Sequence, residues 1–123
     1  MRNNEAENED LYYLSRTMWA EARGEGREGM LHVGSVVLNR VRDTRFRNTI
    51  KGVVLQPSQF SVWNPNNPNY RRIRSVDESN AQFRVAVDAA RHLLNEGAIN
   101  TYLYFEHRSL GRRGTVIGNH RFR

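Results

Sequence analysis

The chain has 123 residues, 38% hydrophobic and 26% charged, with no cysteine. That is a single domain of ordinary size, able to bury roughly two thirds of the surface its unfolded chain exposes. The composition excludes a membrane-spanning protein and global disorder, and the missing thiols exclude disulfide staples, thiolate zinc sites, iron–sulfur clusters and cysteine nucleophiles.

Basic residues outnumber acidic ones by 19 to 13, and all the basic residues but Lys51 are arginine. The charge is unevenly placed. Glu5, Glu7, Glu9 and Asp10 cluster at the front, and residues 11–123 then carry 18 basic and 9 acidic residues, a net of +9. Such a body attracts polyanions: nucleic acid, an anionic membrane face or an acidic wall polymer. Met1 to Asp10 lacks the apolar run of a secretory signal, so the intact chain is expected to be made in a cytoplasm and to need another route for export.

In chain order, residues 1–9 read as a flexible acidic tail, followed by one domain over 10–123. Leu11, Leu14, Met18 and Ala22 follow helical spacing, and Gly24 and Gly26 punctuate the end. A second helix is expected from Arg27 to Val41, with Gly34 marking the close approach of another backbone. A short third helix is expected over Asn48–Leu55. Gln56–Arg74 holds all three prolines and an asparagine run, and reads as a long binding loop. Its aromatics Phe60, Trp63 and Tyr70 either form a lid over the core or offer a stacking surface for sugar rings or bases.

Ser75-Val76-Asp77-Glu78 has the form of a capping box, opening a helix that reaches Glu96. The period then changes. Thr101–Glu106 is rich in strand formers, Gly111–Gly114 reads as a turn, and Thr115–Ile117 and His120–Phe122 read as strands around Gly118-Asn119.

Most chemical constellations fail. His32, His92, His107 and His120 match no metal-ligand spacing, although His107 and His120 could meet across the strands. No serine lies in a nucleophile-elbow context. Gly24-Glu25-Gly26 with Gly29 has the dinucleotide spacing but follows no strand.

What remains is Trp19-Ala20-Glu21-Ala22-Arg23-Gly24-Glu25. Glu21 emerges where the apolar stripe of the first helix runs out. Apolar neighbours, the helix C-terminus and Glu25 one turn on would each raise its pKa, with Arg23 opposing if it folds back. A carboxyl kept protonated is what a general acid needs at a glycosidic oxygen. The alternative is two solvated glutamates at a frayed helix end.

That run resembles the catalytic domain of the spore cortex-lytic enzyme type of cell wall hydrolases. Further segments resemble the family in the same order: Glu28-Gly29, Val36–Val41, Phe46–Ile50 with Gly52-Val53-Val54, Gln56-Pro57 with Gln59-Phe60-Ser61, and Ile117–Phe122.

The resemblance implies an α+β, lysozyme-like fold, mostly helical, with a small C-terminal β element flanking a cleft. It implies cleavage of peptidoglycan glycan strands between N-acetylmuramic acid and N-acetylglucosamine, in the manner of a lytic transglycosylase. Glu21 then takes the acid and base role, and no metal or organic cofactor is called for. Gln59, Phe60, Ser61, Tyr102 and Tyr104 become candidate substrate contacts, with Glu25 and Arg23 as structural neighbours.

Two departures stand out. Ala20 replaces a common Gly, and Glu106-His107 follows Tyr104-Phe105 where the family commonly has Asn-Pro. Glu106 is either a second carboxylate that permits true hydrolysis or a solvated strand-end charge. The expected setting is bacterial lysis by a monomeric bacteriophage lysin or by a bacterial enzyme's catalytic fragment. Its arginines would be drawn to anionic wall or outer-membrane surfaces. The rival reading is a non-enzymatic basic protein that binds nucleic acid.

Overall fold

The computed structural model describes residues 4–111 and 113–123. Its first helix, α1 (Asn4–Ala22), turns Leu14, Met18 and Ala22 into the core one helical turn apart. The helix starts six residues before Asp10, so residues 4–9 of the acidic segment are helical; residues 1–3 lie outside the described residues. Glu9 pairs with Lys51 at 3.4 Å.

A 3-10 turn, Arg23–Glu25, leads into α2 (Gly26–Arg42), and Gly26 at φ 73° makes the sharp entry that a side chain would resist. The third helix, α3 (Ile50–Val54), is shorter than the sequence suggests, and Thr49 Oγ1 caps it by accepting from Gly52 N at 2.9 Å.

Residues 56–74 are not a plain loop. They hold a second 3-10 turn, Ser61–Trp63, and part of α4 (Tyr70–Ser75). Phe60 and Trp63 are buried in the core, as the lid reading requires. The Trp63 indole donates to Thr17 Oγ1 at 2.9 Å, which clips this segment to α1.

The longest C-terminal helix, α5, runs Ala81–Glu96. The expected capping box at Ser75 is not used. Ser75 closes α4, and Asp77 bends the chain by accepting from Ser79. Asn80 is the cap instead, its side chain accepting from Phe83 N at 3.0 Å. With α5 in place, Gly34 has a different reason from the one expected. A Cβ there would come within 2.6 Å of Met18 Sδ and of Leu93 Cδ1, so side chains fill the space, not another backbone.

The sheet has three short strands: β1 (Phe105–His107), β2 (Thr115–Ile117) and β3 (His120–Phe122), in the order β1-β3-β2, all antiparallel. The last two match the sequence reading residue for residue. Thr101–Tyr104, expected in the first strand, is instead an extended lead-in, bonded to the chain end through Arg123 N to Tyr104 O and Arg123 O to Leu103 N and Tyr104 N. Arg112 of the expected turn lies outside the described residues. Gly118, at φ 61°, lets β2 turn back into β3.

The sheet hangs on α2. A polar stripe there catches the lead-in: Ser35 Oγ accepts from Ile99 N, the Asn39 amide donates to the carbonyls of Asn100 and Tyr102, and Arg40 Nε donates to Leu103 O at 2.7 Å. Phe122 then buries itself against the rings of His32, Tyr102 and Phe105.

Because Asn80 is the cap, Asn80→Ala is expected to cost about 1 kcal/mol in urea unfolding. Ser75→Ala, the substitution the sequence pattern alone would single out, is expected to leave the midpoint nearly unchanged.

Candidate active site

Glu21 sits in the last turn of α1, one turn past Thr17 on the same face. A chain of contacts closes round this helix end. Thr17 holds Trp63, the neighbouring Phe60 meets Phe105 of β1 at 5.9 Å between ring centroids, and Phe105 meets His120 of β3 at 5.3 Å. His120 Nδ1 lies 2.7 Å from Glu25 Oε2, one turn beyond Glu21. Glu25 Oε1 also accepts from Asn119 N at 2.7 Å. The 56–63 segment and the sheet are thereby tied to the residues one turn before and one turn after Glu21.

Glu21 is partly buried, and among the described residues its carboxylate has no hydrogen bond or ion pair. Burial pushes its pKa above the ordinary carboxylate value. The like-charge contribution expected from Glu25 is not what drives this, because Glu25 is turned toward the sheet. Arg23 does not fold back to Glu21; its guanidinium lies 4.7 Å from the centre of the Trp19 ring. His120 is held below its ordinary value, first by burial and then by His107 across the strands, with Glu25 opposing.

The other sequence candidates fall into two groups. Gln59 and Ser61 are exposed on the 56–63 segment, and Ser58 before them holds φ 67°, a left-handed conformation that non-glycine residues rarely adopt. Phe60 is a core residue, and Tyr102 packs against Phe122 as part of the sheet's underside. Tyr104 is 38% exposed, stacked between Phe46 and the guanidiniums of Arg40 and Arg123.

Glu106 belongs to the opposite face of the sheet from Phe105, His107 and His120, since neighbouring residues of a strand alternate. It pairs there with Arg123 at 3.0 Å. His107 and His120 do face each other in the β1–β3 register. A hollow of about 510 Å3 bordered by Glu9, Leu38, Ile50, Lys51 and Leu93 does not include Glu21.

Sequence reasoning missed Arg40. It is 4% exposed, has no carboxylate partner among the described residues, and joins three elements. Nε bonds Leu103 O, Nη1 bonds Gln59 Oε1 at 2.9 Å, and the guanidinium lies within 5.1–5.4 Å of the ring centres of Phe46, Phe60 and Tyr104. The available signal was an arginine set between Val37 and Val41 on an otherwise apolar helix face.

Two outcomes follow. Arg40→Lys keeps the charge but loses the fork, and is expected to lower stability by about 1–3 kcal/mol in denaturant unfolding. Glu21 binds its proton more tightly in the native state than in the unfolded one. Its contribution to stability is therefore greatest below the ordinary carboxylate range and is lost as pH rises through the raised native value. Glu21→Gln is thus expected to raise the thermal midpoint at neutral pH, with the gain shrinking in acid.

The comparisons with known proteins agree with this architecture. The Cell Wall Hydrolase family matches residues 24–123, a span that begins just after Glu21. The spore cortex-lytic enzyme of Bacillus subtilis is 37% identical over 55 residues, covering 45% of this chain and 18% of that protein. The cell wall hydrolase CwlJ of the same organism is 40% identical over 57 residues, covering 43% of this chain and 40% of that protein. The chain thus spans well under half the length of the curated relatives it matches. Among solved structures, the catalytic domain of the germination-specific lytic transglycosylase SleB from Bacillus anthracis superposes with a TM-score of 0.73 at 24% identity, covering 99% of this chain and 98% of that one. The fold is the lysozyme-like α+β arrangement that the sequence resemblance implied, and the chain belongs to the Cell Wall Hydrolase family.

Proposed function

We propose that this protein cleaves the glycan strands of peptidoglycan as a lytic transglycosylase, with Glu21 as the single acid and base. The observation that carries the reading is the state of Glu21: a partly buried carboxyl, unpaired among the described residues, with a raised pKa, one turn from the Thr17–Trp63 and Glu25–His120 contacts that tie in the 56–63 segment and the sheet. A protonated Glu21 would donate to the glycosidic oxygen as an oxocarbenium-like centre develops at the muramic C1. The carboxylate left behind would take the proton of the substrate's own C6 hydroxyl as that oxygen attacks C1. The products are a free N-acetylglucosamine hydroxyl and a 1,6-anhydromuramic end, and no water is consumed.

Hydrolysis would call for a second carboxylate roughly 5–10 Å away to act as nucleophile or to activate water. Glu25 is committed to His120 and Asn119, and Glu106 lies on the sheet's other face paired with Arg123. Both observations support the single-carboxylate reading. Gln59 and Ser61, both exposed, are the groups we assign to the glycan, and the setting we propose is the bacterial wall.

Digestion of purified peptidoglycan, followed by mass analysis of the products, tests this. Anhydromuramic ends are expected; reducing ends would instead indicate hydrolysis, and free stem peptides an amidase. Glu21→Gln is expected to lower the rate by about 10²–10⁴-fold, whereas Glu106→Gln keeps most of it. Activity should fall as pH rises through the raised Glu21 pKa, because the acid form is the donor. Full activity in Glu21→Gln would overturn the assignment.

A further inference from the structure

The segment singled out by its prolines and asparagines is only partly used by the site at Glu21. Phe60 and Trp63 are buried and Gln59 is held by Arg40, but Tyr70 is turned elsewhere. Together with Tyr12 of α1 it lines a separate hollow of about 570 Å3, completed by Asn67, Arg71, Arg74, Ser75 and two prolines. That volume suits a small ligand or one or two units of a polymer.

The chemistry of the lining is one-sided, for it contains no acidic side chain. Arg71 and Arg74 are exposed, and among the described residues neither forms an ion pair. The Arg74 guanidinium stacks at 5.2 Å from the centre of the Tyr70 ring, and Arg16 covers Tyr12 at 3.9 Å. Asn67 Oδ1 accepts from Asn69 N at 2.9 Å, which fixes the amide and leaves its NH2 as a donor. Two planar cationic forks, an amide donor, hydroxyls and two ring faces are gathered in one concavity. Guanidinium forks match carboxylates in a bidentate manner, and ring faces with flanking donors match a saccharide.

The hollow lies apart from the proposed cleft. Tyr12 precedes Glu21 by nine residues on α1, about 14 Å along the axis and about half a turn round it. Of its lining residues Tyr12 alone touches the chain of contacts around Glu21, its ring centre 6.2 Å from that of Trp63. A nucleic acid would need a row of cations tracking its phosphates, whereas the two guanidiniums without ion pairs here are three residues apart at one half-open hollow.

We infer that this hollow is a second, non-catalytic binding site for carboxylate-bearing muropeptide units, holding the polymer while Glu21 acts elsewhere on it. This rests on the proposed function for the identity of the polymer. The site adds a fixed hold beside the cleft, so that binding to an extended wall involves two contacts and binding to a short fragment only one.

The test separates binding from cleavage. Cosedimentation of the intact chain with insoluble peptidoglycan freed of phosphate polymers, on ice, reads binding. The Arg71→Ala/Arg74→Ala variant, altered only at exposed positions, is expected to bind about tenfold more weakly or worse, while its turnover of short soluble glycan fragments is unchanged. Peptidoglycan whose carboxyls have been converted to amides should bind the parent as weakly as untreated material binds the variant. Parental affinity in the variant, indifference to the blocked carboxyls, or displacement of the parent by duplex DNA more readily than by soluble muropeptides would each overturn the inference. Failure of the parent to release any muropeptides would overturn the proposed function alone.

Discussion

The attachment of the sheet to α2 is the constraint on which the rest of the molecule depends. Three strands of three residues each cannot hold themselves together in water. They exist here because Ser35, Asn39 and Arg40 spend their side chains on the backbone of the lead-in, and because Phe122 is driven into the helical core. Each of those bonds also gives a partner to a backbone group of the lead-in. The helix is thus apolar where it meets α1 and α5 and polar where it meets the sheet. That division fixes where the wall of the proposed cleft stands.

Glu25 extends the same logic to the other side. Of two glutamates four residues apart, one is locked to the sheet and the other is left without a partner. The locked one closes the contact chain through His120, Phe105 and Phe60. The unlocked one carries the raised pKa. An unpaired, partly buried carboxyl is a stability cost, and the packing around α1 offsets it. Preorganisation of the surroundings is what permits a single acidic group to stay free.

Much of this was legible in the sequence because helical spacing and turn residues are local signals. Leu14, Met18 and Ala22 placed α1 in the core, and the β2–β3 hairpin followed from β formers on either side of Gly118-Asn119. The errors arose where two local signals competed. Ser75 and Asn80 are both good caps, and only the docking of α4 and the bend at Asp77 decide between them. Thr101–Tyr104 has strand composition, but α2 takes the carbonyls of Tyr102 and Leu103, and only Leu103 and Tyr104 reach the chain end at Arg123. What Arg40 holds could not be read from its place on an apolar helix face, because its partners lie 19 and 63 residues away in sequence. The raised pKa of Glu21 was anticipated from its position at the end of an apolar stripe, while its acid and base role came from the family resemblance; the orientation of Glu25 was not anticipated, since it depends on Asn119 and His120, near the end of the chain.

The brevity of the strands has a further effect. In the order β1-β3-β2 both outer strands are open edges, and an open edge is a template on which a second molecule can add a strand. Three residues offer too few free N–H and C=O groups for such pairing to persist. If the protein acts on the wall as proposed, copies held on that insoluble polymer would meet often, and edges this short would let neighbouring molecules touch without zipping into aggregates.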